Sequence, residues 1–167
     1  MTRIKLAALW TALQVLFFAA WSGREAMRLR EGSGESILVR TAPVDPRDLL
    51  SGQYILLSYE FSNPGRWRAA READFGDGEA VWVVLAPAGE FHTPARAQRA
   101  RPEGLRAGEV AIRGAMERWR ARFGVERYFV PEGTPTPSQS DITVRLRVGN
   151  DGAARIERVY VKGQPWP

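Results

Sequence analysis

The chain of 167 residues contains no cysteine, one histidine (His92) and two lysines, Lys5 and Lys162. Without cysteine there are no disulfides, no thiol nucleophile and no thiolate metal or cluster site. The absence leaves the compartment open, because many proteins outside the cytoplasm also lack the residue. One histidine gives no imidazole pair for a metal, and no carboxylate run forms a calcium loop. A serine-lysine dyad is poorly served, since one lysine stands at each end of the chain. His92, followed by Thr-Pro, is expected to be solvated or structural. No phosphate-cradling glycine loop occurs. No cofactor and no metal are expected, and the chain is read as non-enzymatic.

Charge is abundant but one-sided in type: nearly all of the 24 basic residues are arginine, against 19 acidic ones, for a net charge of +5. The arginines are dispersed among carboxylates, most densely from Arg96 to Arg106. Such dispersal is first a solvated surface, so no nucleic-acid partner is expected.

One long apolar run is present, LAALWTALQVLFFAAWSG from Leu6 to Gly23, without a charged residue and with Arg3 and Lys5 before it and Arg24, Arg28 and Arg30 after it. Eighteen helical residues at about 1.5 Å each just cross most of a hydrocarbon core of about 30 Å, which is short but sufficient. Apolar character all round argues against a buried soluble helix, and the length of the run favours an anchor over a cleaved signal peptide. Ala20 and Ser22 would weakly permit cleavage before Gly23. The expected organisation is a cytoplasmic tail 1–5, a transmembrane anchor 6–23, a tether 24–35 and an extracytoplasmic domain 36–167. Basic residues on both flanks leave orientation undecided by charge.

The remainder reads as strand, giving a mainly β chain in which an N-terminal transmembrane helix precedes an antiparallel β-barrel or β-sandwich-like domain. Ser36–Val44 is a strand ended by prolines. In SGQYILLSYEF, Ser51–Phe61, period-2 alternation places Ile55, Leu57, Tyr59 and Phe61 on an apolar face and Tyr54, Leu56, Ser58 and Glu60 on a mixed one. Ala80–Leu85 is apolar on both faces and therefore central. HTPARAQRARPEGLRAG reads as an exposed loop or short basic helix, Glu109–Phe123 as strand then strand, and Gly124–Gly133 as a turn and short segment. Ile142, Val144, Leu146 and Val148 alternate with polar residues, and Asn150-Asp-Gly152 turns the chain into ARIERVYV as a hairpin partner.

Candidate acids for glycoside hydrolysis are Asp45, Asp48, Glu60, Glu126 and Glu132, whose plainer reading is turn chemistry and surface charge. Trp67 and Trp119 are expected to be exposed, where they would stack on sugars or anchor an interface. A groove joining Tyr54, Glu60, Glu132 and a tryptophan would make the chain a periplasmic cell-wall glycan-binding module or hydrolase.

Gly52-Gln53-Tyr54-Ile-Leu-Leu57-Ser-Tyr59 resembles the signature of the GDYXXLXY family, with support from Val44-Asp45-Pro46-Arg47, from Glu126–Gly133 and from the terminal hairpin at Tyr160-Val161. The resemblance implies a bacterial inner-membrane protein with its β domain in the periplasm, a polytopic integral membrane partner and no assigned activity. It marks Asp45, Arg47, Gly52, Gln53, Tyr54, Leu57, Tyr59, Tyr128 and Glu132 as motif or binding positions. Gln53 stands where the family has aspartate, which speaks against an essential carboxylate there. On a purely architectural reading, Tyr59 fills the core and Tyr54 meets the Tyr128–Gly133 segment.

Overall fold

A computed structural model describes residues 3–30, 34–42, 54–67, 75–135 and 137–166, with helix side chains at 5 and 9–23. It divides into two compact units, Met1–Ser33 and Gly34–Pro167. The first holds helix α1, Arg3–Arg30, which contains the whole apolar run. Its described side chains from Leu9 to Gly23 are exposed. Among the described residues, no helix is long and apolar enough to cross a membrane.

The second unit is mainly β and antiparallel throughout, with ten strands among the described residues. These are β1 Glu35–Arg40, β2 Tyr54–Leu56, β3 Ala80–Ala88, β4 Phe91–Gln98, β5 Val110–Glu117, β6 Arg120–Arg122, β7 Arg127–Phe129, β8 Ile142–Val148, β9 Ala154–Val161 and β10 Gln164–Trp166. They form a sheet β1-β8-β9-β10, a sheet β4-β3-β5-β6 and a ribbon β2-β7. Apolar side chains from all three sheets meet in one core, including Val39, Ile55, Tyr59, Val83, Ile112, Val144 and Leu146. Alternation in β8 resolves as expected, with Ile142, Val144, Leu146 and Val148 buried. β3 lies between β4 and β5, and Val81 through Leu85 are buried on both faces, which is what a central strand without polar alternation requires.

Three expectations are corrected. HTPARAQ is strand β4, not a loop or basic helix. Alanines and a proline obscure its period, and Pro94 is tolerated because β4 is an edge strand with a bulge where Val84 pairs Arg96 and Leu85 pairs Pro94. Among its described residues the motif segment is not one long strand: it pairs over Tyr54–Leu56, bridges Thr41 at Tyr59 and closes into a 3-10 turn at Glu60–Ser62. Its inward face nevertheless survives, since Ile55, Leu57, Tyr59 and Phe61 are all buried. Trp67 is buried rather than exposed, and its indole N–H donates to the Phe61 carbonyl at 2.9 Å. The turn residues Lys162 and Gly163, at φ +50° and +78°, fold β10 back onto β9.

Arg96 and Glu109 form a bidentate pair at 2.8 Å for both contacts, and Arg106 N–H donates to the same carboxylate at 3.0 Å. The Arg96 guanidinium foremost, then the backbone donor, hold Glu109 down at about 2, against an ordinary value of 4.5. A depressed carboxylate stabilises the fold fully above its unfolded pKa, and that contribution disappears as pH falls through the folded one. The fold should therefore lose stability between about pH 4.5 and pH 2. Denaturant titrations across that window should show a shallower decline in Glu109→Gln; an unchanged slope would remove this pair as its source.

Candidate functional site

The motif residues divide by the direction of their side chains. Tyr59 is fully buried, stacks on Phe61 with ring centres 4.9 Å apart and donates its hydroxyl to the Val125 carbonyl at 2.6 Å. Burial, and secondarily the Glu126 carboxylate, push its phenol well above the ordinary value, so it stays protonated as a donor. Leu57 is also in the core, and its N–H donates to the Glu126 carbonyl at 2.7 Å. Tyr54 faces the other way and is half-buried. Its ring meets Phe129 edge-on at 5.9 Å, and the Arg127 guanidinium lies 5.4 Å from its centre. Tyr128, paired with Ile55, lies beside Trp166 at 6.0 Å. Glu132 is exposed in the turn beyond β7. Asp45, Asp48, Arg47, Gly52 and Gln53 lie outside the described residues.

Thus Tyr54, Leu57, Tyr59 and Tyr128 come together along the β2–β7 ribbon, two pointing into the core. The chain after β2 is clamped on its other side, where Gln139 Nε2 donates to the Leu56 carbonyl at 2.8 Å and Ala42 N–H to the Ser58 carbonyl at 2.8 Å.

Alongside this segment runs a groove of about 310 Å³ between Leu56–Ser58, Ser62 and Glu126 on one wall and Glu117–Arg122 on the other. Neither Tyr54, Glu60 nor Glu132 lines it, while Trp119 and Glu126 do. Trp119 sits at the tip of the β5–β6 hairpin and is 63% exposed. Arg118 beside it adopts φ +56°, a conformation that costs a non-glycine residue energy, and its N–H is held by Asp77 Oδ1 at 2.6 Å. Arg120 crosses the groove to donate from Nη1 to Ser58 Oγ at 2.7 Å, with its guanidinium 4.1 Å from the Trp119 ring centre. Glu126 accepts from the N–H groups of Phe123 at 2.6 Å and Gly124 at 3.0 Å. Its role among the candidate acids is thereby tied to closing a turn.

Sequence reasoning named Trp119 and Glu126 but missed Arg118, Arg120, Ser58 and Ser62 as a set. The available signal was the pair Arg118-Trp119 lying between two strand patterns, which marks a two-residue turn even though it lacks the usual glycine or asparagine.

A family model described as GDYXXLXY protein matches residues 14–159, nearly the whole described β unit together with much of the helix. The chain belongs to the GDYXXLXY family. No curated protein and no solved structure matches the chain. Within this family member, the two tyrosines of the signature thus have opposite situations: Tyr59 is a core hydrogen-bond donor, whereas Tyr54 is on the surface with Arg127 and Phe129.

Proposed function

We propose that this GDYXXLXY protein is a non-enzymatic, membrane-anchored accessory protein. In this reading the apolar run 6–23, which is longer than the stretch 9–23 of described helix side chains, crosses the bacterial inner membrane, the β unit lies on the periplasmic side, and the partner is a polytopic integral membrane protein. The observation that supports this reading most strongly is the exposure of eight large apolar side chains on α1, from Leu9 at 59% to Leu16 at 67%, with Trp10, Leu13, Val15, Phe17, Phe18 and Trp21 between those limits. Water penalises such a surface by about 25 cal/mol per Å², so an apolar environment stabilises it. Gln14 supplies an amide on the same helix for a contact with another span.

The test compares the tagged full-length protein with a form beginning at Gly34. That start is set by packing, because a side chain at Gly34 would meet the Val148 carbonyl at 2.7 Å, so the residue is part of the β unit. The full-length protein is expected to stay with membranes through an alkaline carbonate wash. Purified in mild detergent, it should bring down a multi-spanning protein in near-equal amount, identified by mass spectrometry. The shorter form should be released. Release of the full-length protein by carbonate, with repeated recovery of the chain alone, would sink the proposal.

A further inference from the structure

The groove beside the motif segment contains more hydrogen-bonding capacity than the protein itself uses. Arg122 is paired with Glu117, and Glu126 is engaged by two backbone amides. Among the described residues, neither the Arg118 nor the Arg120 guanidinium pairs with a carboxylate, the Asp77 carboxylate meeting only the Arg118 backbone N–H. Arg120 has five N–H donors; Nη1 reaches Ser58, and Nε is buried without a partner. Ser62, 4% exposed, likewise has a buried Oγ without a partner. Buried polar atoms are ordinarily satisfied, so two such atoms in residues of one groove are a specific observation about that groove.

We infer that this groove binds a carboxylate-bearing saccharide. The inference stands apart from the membrane proposal, because it uses only residues of the β unit. The ligand carboxylate takes the terminal Nη N–H groups of Arg120 that Ser58 leaves free, whose planar fork suits a two-oxygen acceptor, with Arg118 as the second positive charge. A sugar hydroxyl takes up Ser58. Ser58 Oγ accepts from Arg120 and so keeps its own proton to donate. Trp119 supplies a platform at the rim: the C–H edges of a sugar ring are weakly positive and lie favourably against the negative face of an indole. The lining is mixed, with seven polar or charged residues among eleven alongside apolar surface, which suits a ligand that offers both hydroxyls and ring C–H faces. The volume of about 310 Å³ lies at the lower end of the range for small-ligand clefts.

The test is calorimetric titration of the full-length protein, in a detergent without a sugar headgroup, with trigalacturonate, neutral trigalactose and triglutamate. Trigalacturonate should bind saturably, and trigalactose about tenfold or more weakly, as expected for loss of a charge-assisted bidentate contact. Arg120→Gln should weaken trigalacturonate by about tenfold and Trp119→Ala by about fivefold. Arg118→Gly guards against misfolding, since glycine suits φ +56° and the variant removes only the side chain; it should weaken binding about threefold. The inference is overturned if trigalacturonate shows no saturable binding, if Arg118→Gly and Trp119→Ala bind it unchanged, or if triglutamate binds as tightly. That last outcome would assign the groove to an acidic peptide.

Discussion

Replacing Tyr59 by alanine is expected to cost the β unit about 3–5 kcal/mol, the range for removing a buried aromatic from a packed core. The ring is fully buried and stacked on Phe61, which in turn packs edge-on against Phe123 at 5.0 Å, so the cavity would open in the middle of a run of aromatic contacts. Collapse around it is limited because Phe61 also belongs to the 3-10 turn that follows. Tyr59→Phe separates the hydroxyl from the ring. It keeps the packing but strips the Val125 carbonyl of its donor, a change worth about 1–3 kcal/mol for a buried acceptor. Tyr54→Phe is the control: the residue is half-buried on the opposite side, and a change of about 0.5 kcal/mol or less is expected. Urea midpoints for the three variants decide the matter. Equal losses at Tyr54 and Tyr59 would contradict the division of the motif into an inner and an outer tyrosine.

Gly114→Val should destabilise the β unit by about 3 kcal/mol or more, although valine has the higher strand preference and Gly114 lies within β5. Even a Cβ at this position would lie 2.4 Å from the Arg122 carbonyl oxygen and 2.7 Å from Phe123 Cδ1. The Phe123 ring occupies the space over the glycine, where it meets Phe61 and closes the core beneath β6. A side chain there displaces the ring or separates β5 from β6. Because β6 carries Arg120 and Ala121 into the groove, the same substitution should also disturb the groove wall. A Gly114→Val protein as stable as the parent would mean that the β5–β6 hairpin adjusts far more freely than its packing implies.

These two sites differ in how far the chain announces them. Alternation from Ile55 to Phe61 places Tyr59 on the apolar side of the motif, and that assignment holds even though the strand itself ends at Leu56. Burial follows the two-residue repeat of extended backbone, whereas strand pairing needs a neighbour, and here the neighbour changes from β7 to Thr41. Gly114 reads only as a weak point in a strand pattern. What requires it is the Phe123 ring, nine positions along and brought over it by the β5–β6 hairpin.

The candidate site shows the same contrast. Trp119 is legible as an exposed aromatic, while Trp67, an identical residue in an equally polar stretch, is drawn inside because the turn at Glu60–Ser62 presents the Phe61 carbonyl to its indole. Arg120 is one arginine among many until its contact with Ser58, 62 positions away, singles it out.

By itself, the sequence determined the mainly β character, the central place of β3, the terminal hairpin, the inward face of the motif and membership of the GDYXXLXY family. Each of these rests on local periodicity or on a contiguous motif, which need only the order of residues. Only the tertiary structure decided that HTPARAQ pairs as an edge strand, that Trp67 is buried, that Tyr59 donates to Val125, and that Ser58, Ser62, Arg118 and Arg120 share a groove. Those outcomes depend on partners supplied by distant segments, and a side chain's hydrogen bonds and charge environment are fixed by what folds against it.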